Sequence, residues 1–151
     1  MQNPLQTEQA KDSFLLLARV AIGVYFLLAG YAKIAGGVGA FVEQAKPTIP
    51  HFLSPQIGTL YLQALPFAEM IVGVAMVIGL YTRVAAGLMS LMLISFMIAV
   101  TGIGFKSEAG KPPQIDKNLI FLGLTLLIMH FGGGKVAVDQ SMGKAPGPAK
   151  K

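Results

Sequence analysis

Glu69 is the only charged residue between Lys46 and Arg83, and it falls inside the apolar run Leu65-Pro-Phe-Ala-Glu-Met-Ile-Val-Gly-Val-Ala-Met-Val-Ile-Gly-Leu80. An ionisable group in such a setting costs about 2.5–3.5 kcal/mol on insertion scales, so it is usually paired, protonated or facing a polar cavity. Three roles stay open at this point. Glu69 could lock two helices through an ion pair or hydrogen bond, carry a proton or polarise a ligand, or meet a water-filled funnel. The preceding apolar run, Phe14 to Ile34, holds two cations, Arg19 and Lys33. If the two runs are antiparallel helices rising 1.5 Å per residue, Glu69 lies at the depth of Tyr25, with Lys33 about 12 Å outward and Arg19 about 9 Å inward. Glu69, Arg19, Lys33 and Tyr25 are therefore the candidate interior polar set.

Other polar side chains have blander readings. Arg83 stands at a helix hairpin, where contact with anionic head groups explains it, and Lys117 can snorkel from the start of the last run. His130 precedes Gly132-Gly-Gly134 and faces a helix C-terminus favourably. Arg83, Lys117 and His130 are thus assigned to the interface. Tyr25, Tyr31 and Tyr61 could hydrogen-bond a quinone or a head group, although tyrosine is common at membrane interfaces for amphipathic reasons alone. The chain has no cysteine, which excludes dithiol chemistry, thiolate metal sites and disulfides within it. Its two histidines, His51 and His130, fall at opposite ends of the layout below, so no metal or bis-histidine haem site is expected. The methionines read as packing material.

The elements that must position these residues are membrane helices. Hydrophobic residues make up 54% of the chain and charged ones 13%, against roughly 25% charged in soluble domains. Lipid must cover part of such a surface. The net charge of +5 is spread around the ends of the apolar runs, not gathered on a basic aromatic face, so nucleic acid is not an expected partner. Four spans are predicted, at about 14–34, 60–81, 84–105 and 115–131, giving an all-α, integral membrane four-helix bundle. Residues 1–13 form an N-terminal segment, residues 14–139 the transmembrane domain and residues 140–151 a disordered tail. The loop between the first two spans is long. Within it Val38, Phe41, Val42 and Ala45 share one helical face, which predicts a short interfacial helix ended by Pro47. The connection at Tyr81-Thr82-Arg83 is so short that spans two and three must be antiparallel neighbours. Four spans put both termini on one side, and seven of the basic residues fall on that side against five on the other. The positive-inside rule then places the termini in the cytoplasm.

Several short motifs together resemble the DoxX family of small bacterial membrane proteins. They are Leu16-Leu-Ala-Arg19, Gly23, Leu27-Leu-Ala-Gly30-Tyr-Ala-Lys33, Glu69-Met-Ile-Val-Gly73, Gly79-Leu-Tyr-Thr-Arg83 and Gly133-Gly-Lys-Val-Ala-Val-Asp139. The closing motif departs from the family's usual wording at Lys135 and Ala137, which weakens any argument for an anion site there. The resemblance implies a four-helix bundle in the bacterial inner membrane, with the family's charged positions falling on Arg19, Lys33, Glu69 and Arg83. It also implies a redox-linked subunit that contacts quinone or anchors an electron-transfer partner. With no intrinsic cofactor, such a chain would not be catalytic alone. The alternatives are a structural or assembly subunit of a larger respiratory or photosynthetic complex, and a carrier of a small molecule or lipid.

Overall fold

The computed structural model describes residues 4–101, 105–106 and 114–142. It consists of helices apart from a two-residue antiparallel ladder pairing Phe105–Lys106 with Gln114–Ile115. The helices are α1 (Pro4–Ala35), α2 (Val38–Ala45), α3 (Pro55–Ile78), α4 (Thr82–Phe96), α5 (Lys117–Phe131) and the short α6 (Val138–Met142). Most of the predicted third connection, the outer end of the third span and most of the predicted tail lie outside the described residues.

Three helical stretches are long and apolar enough to cross a bilayer, Glu8–Ala35, Pro55–Ile78 and Thr82–Ala99. The fourth, α5, is shorter than the predicted span, because Asp116 caps it by accepting a hydrogen bond from the Asn118 N–H at 2.8 Å. Its 15 residues rise about 22 Å. It reaches the ~30 Å of a hydrocarbon core only with its polar flanks or a locally thinned bilayer. In the opposite direction, α1 starts at Pro4, well before the predicted boundary at residue 14. Helix α4 runs into a π-helical turn over Met97–Thr101, which widens the helix next to the cavity described below.

Helix α1 packs closely along α3 because glycines face the contact. A Cβ on Gly30 would stand 2.5 Å from the Pro66 carbonyl oxygen, and one on Gly73 would stand 2.7 Å from the Leu27 backbone nitrogen. Only a hydrogen at those positions lets the backbones approach so near. On the far side, α4 meets α5 through a buried hydrogen bond between Ser90 and Thr125, 2.8 Å long, amid Ala86, Met89, Leu93 and Ile128. The α3–α4 connection is tight as expected. Gly79 takes a left-handed conformation at φ 75°, and Tyr81 follows at φ 46°.

The predicted interfacial helix is present as α2. Its apolar face turns inward, with Val42 buried and Phe41 partly buried against the core. Many large apolar side chains face outward from the bundle, among them Leu17, Leu28, Ile71, Val84 and Leu91. A surface of that kind is solvated by lipid tails, so the fold is that of a multi-pass membrane protein.

Candidate functional site

Two polar centres lie at opposite ends of the bundle. The first is at the end away from the termini, built around Glu69, which is 2% exposed. Lys33 donates hydrogen bonds to both of its carboxylate oxygens, at 2.7 and 2.6 Å, and a longer one to the Ala29 carbonyl at 3.4 Å. Helical side chains lean toward their own N-terminus. On α1 that direction carries Lys33 inward, and on antiparallel α3 it carries Glu69 outward, so the two converge. Arg19, deeper on the same helix, leans in the same direction as Lys33 and so away from Glu69, and the two are not neighbours. The contact of Gly30 with Pro66 and Met70 also sets Glu69 level with Ala29 and Gly30. The depth expected from sequence, near Tyr25, was off by about one helical turn.

The Lys33–Glu69 pair lines a cavity of about 570 Å³ between the helices. Tyr25, Phe26, Phe41, Tyr61 and Phe96 supply its aromatic walls, and Asp116, Lys117 and Asn118 come to it from the start of α5. The Tyr61 hydroxyl is hydrogen-bonded to the Ser95 hydroxyl across from α4. Tyr25 packs on Phe121 with ring centroids 4.8 Å apart, and the Lys117 ammonium lies 5.4 Å above the Tyr25 ring. The cavity therefore runs from polar groups at the loop end past the ion pair to Tyr25 and Phe26, about one turn deeper on α1. Its wall is mostly apolar, which suits an aromatic or amphiphilic head group.

The second centre is at the end carrying the termini. Arg19 is 1% exposed, and its Nε and Nη1 make no hydrogen bond among the described residues. A Cβ on Gly79 would fall on Nη1, so glycine is required there for the guanidinium as well as for the turn. Asp139 supplies the offsetting charge. Its carboxylate accepts from the Tyr81 N–H at 2.6 Å and the Thr82 N–H at 2.8 Å, and its own N–H donates to the Gly79 carbonyl at 3.1 Å. This caps α4 and pins the segment after α5 onto the hairpin. Burial alone would push the Asp139 carboxyl up. The hydrogen bonds from Thr82 and Tyr81, with Arg19 nearby, outweigh that and hold it below the ordinary carboxylate range. Lys135 joins the same segment to α1 through Asp12 at 2.9 Å, and that pairing raises its pKa. The space here is filled by side chains, so this end serves as a clasp.

The candidate residues thus divide. Glu69, Lys33 and Tyr25 share the cavity, while Arg19 belongs to the clasp. Of the residues assigned to the interface, Arg83 and His130 are exposed at the clasp end, with the His130 ring edge-on to Phe131, and Lys117 is at the rim of the cavity. Ser95, Asp116, Phe41 and Asp139 were not singled out from sequence for these roles. Asp116 carried a usable sign, an aspartate directly before an apolar helix. Phe41 lay on the apolar face of the predicted interfacial helix and Asp139 closed the last family-like motif, while Ser95 carried no sign of its role. Among the described residues, no group of histidine, aspartate and glutamate side chains is placed to hold a metal ion.

The family model for DoxX matches residues 14–102, more than half of the chain. Neither a curated protein nor a solved structure gives a match. The chain belongs to the DoxX family, and its apolar helices make it a membrane-embedded member surrounded by lipid.

Proposed function

We propose that this chain is a redox-linked subunit of a bacterial inner membrane whose cavity receives the head of a quinone, with electrons supplied by a partner that it anchors. Both termini then face the cytoplasm, on the side richer in lysine and arginine. One observation carries the reading, the aromatic walls around the Lys33–Glu69 pair in the cavity. A quinone ring is flat, apolar on its faces and polar only at its oxygens, and the lining has that distribution. The volume lies within the range of about 300–1,000 Å³ usual for small-molecule sites. The quinone supplies the redox chemistry when bound. The chain's own residues enclose the ring, exclude lipid tails from Glu69 and fix the polar contacts.

The test uses the chain's own fluorescence. It has no tryptophan and four tyrosines, of which Tyr25 and Tyr61 line the cavity. Titrating the detergent-solubilised protein with decylubiquinone should quench tyrosine emission saturably. Ala99→Phe, which fills the cavity from the π-helical turn after α4, should weaken the effect at least tenfold. Quenching that never saturates and ignores the Phe side chain would overturn the proposal.

A second reading is favoured by the geometry of the ion pair itself. Lys33 bonds both oxygens of Glu69 on α3 and the Ala29 carbonyl of its own helix, as a packing lock between α1 and α3 would. In that case the chain is a structural or assembly subunit. Glu69→Gln would then lower the amount of assembled complex in native membranes and leave turnover per complex unchanged.

A further inference from the structure

Tyr61 and Ser95 line two spaces at once. Besides facing the cavity, they form the head of a groove of about 230 Å³ on the outer surface of the bundle between α3 and α4. Below them Ala68 and Val72 of α3 face Leu88 and Leu91 of α4, and the two leucines are 47% and 64% exposed. From Ser95 to Leu88 the groove follows α4 for about 10 Å, away from the loop end and along the hydrocarbon. The hydrogen bond between the Tyr61 and Ser95 hydroxyls thus stands at the boundary between cavity and lipid. The π-helical turn over Met97–Thr101 begins just beyond Ser95.

Among the described residues the other three seams of the bundle are shut. Between α1 and α3, Gly30 brings the backbone against Pro66 at the depth of the ion pair. Between α1 and α5, the Tyr25 ring packs on Phe121. Between α4 and α5, Leu93 lines the cavity yet is 1% exposed, and Ser90 bonds Thr125 deeper in. The loop end is open but polar, with Asp116, Lys117 and Asn118 around it. A chain of methylenes leaving there would lose the burial that lipid gives it. Quinones that reside in bilayers carry a long apolar tail, and this tail needs an exit. Resting on the quinone reading above, we infer that the tail leaves the cavity sideways between α3 and α4 and lies in this groove, and that the Tyr61–Ser95 hydrogen bond is the bolt that parts to let it through. Ala68 is then a specificity-determining residue, since its methyl group leaves the groove open to a tail.

The experiment uses the solubilised full chain and two probes, decylubiquinone and the same ring without the decyl tail, read by tyrosine quenching. Ala68→Phe fills the groove from a position that does not line the cavity. It should weaken decylubiquinone about tenfold, the equivalent of about two buried methylene groups, and leave the tail-less ring unchanged. Ser95→Ala should admit decylubiquinone about threefold faster, within what one hydrogen bond holds back, while the tail-less ring, which enters at the loop end, keeps its rate. A decylubiquinone ending in a diazirine should label Val72, Leu88 or Leu91 of the wild-type chain on illumination, and excess decylubiquinone should suppress that labelling. The photolabel decides the route even if the Phe variant loses both probes. Suppressible label on Phe52 or Ile98, which line a smaller pocket toward the loop end of the same hydroxyl pair, overturns the groove and leaves the quinone reading standing. Undiminished binding of decylubiquinone by Ala68→Phe does the same. An unchanged rate in Ser95→Ala overturns the bolt. Failure of both probes to bind the wild-type chain overturns the quinone reading and this inference with it.

Discussion

Lys33 and Glu69 are unequal partners, and the inequality can be measured. Removing Lys33 leaves a carboxylate whose side chain is 2% exposed, whereas removing Glu69 leaves an ammonium that is 24% exposed and can extend toward the loop end. Breaking a buried pair at its more accessible member strands the deeper charge, at a cost of about 3–5 kcal/mol. Lys33→Ala should therefore destabilise the bundle by about 3 kcal/mol, and Glu69→Ala by clearly less, in unfolding titrations in mixed micelles. Equal losses would show that both charges are equally trapped. At the other end, the Asp139 carboxyl is held below its unfolded value of about 3.8. Its contribution is complete above that value and is lost as pH falls through the depressed one. Acidification from 3.8 down through the depressed value should progressively release the segment after α5 from the hairpin, read as a loss of amide protection at Tyr81 and Thr82 relative to their intrinsic exchange. At this scale the sequence announced Glu69 by its isolation, because one carboxyl in an apolar run is unmistakable. It did not select Lys33 over Arg19. Depth counted from helix ends treats both as reachable, and only the lean of side chains along antiparallel helices separates them.

Helix pairing rests on where glycine replaces a side chain, and glycines in this chain differ sharply in what surrounds them. A methyl group on Gly30 or Gly73 would meet the backbone of the facing helix, while one on Gly123 in α5 would meet nothing within 4 Å. Gly73→Ala should cost about 1–3 kcal/mol by overpacking the α1–α3 contact. Gly123→Ala should stabilise α5 by roughly 0.5–1 kcal/mol, since alanine is the better helix former in open surroundings. Thermal midpoints of the two variants should move in opposite directions. Helix α2 was legible beforehand because Val38, Phe41, Val42 and Ala45 repeat at helical spacing with polar residues opposite. The start of α5 was less so. The predicted span takes in Ile115 to Lys117 to reach membrane length, whereas the boundary is set by one local hydrogen bond from Asn118 to Asp116, which hydropathy does not register.

For the whole molecule, the two polar centres have opposite designs and so should differ in how they meet solvent. The clasp end is closed, with Arg19 buried beneath the Asp139 segment. The loop end opens into the cavity and carries the exposed Phe52 beside the start of α3. Alternating helix directions place these ends on opposite sides of the bilayer, an arrangement the count of spans anticipates and the packing of α1 on antiparallel α3 embodies. Because the chain has no cysteine, single cysteines report sidedness without a background to remove. Lys135→Cys and Phe52→Cys, expressed in cells, should react with a membrane-impermeant maleimide from different sides. If the termini are cytoplasmic, Phe52→Cys is labelled in intact cells and Lys135→Cys only after the membrane is opened. A reversed pattern would keep the bundle and invert the proposed orientation, moving the mouth of the cavity to the cytoplasmic face. Labelling of both positions from one side would contradict the membrane topology itself, since residues at the clasp and at the loop end cannot share a face while α1 and α3 span the bilayer.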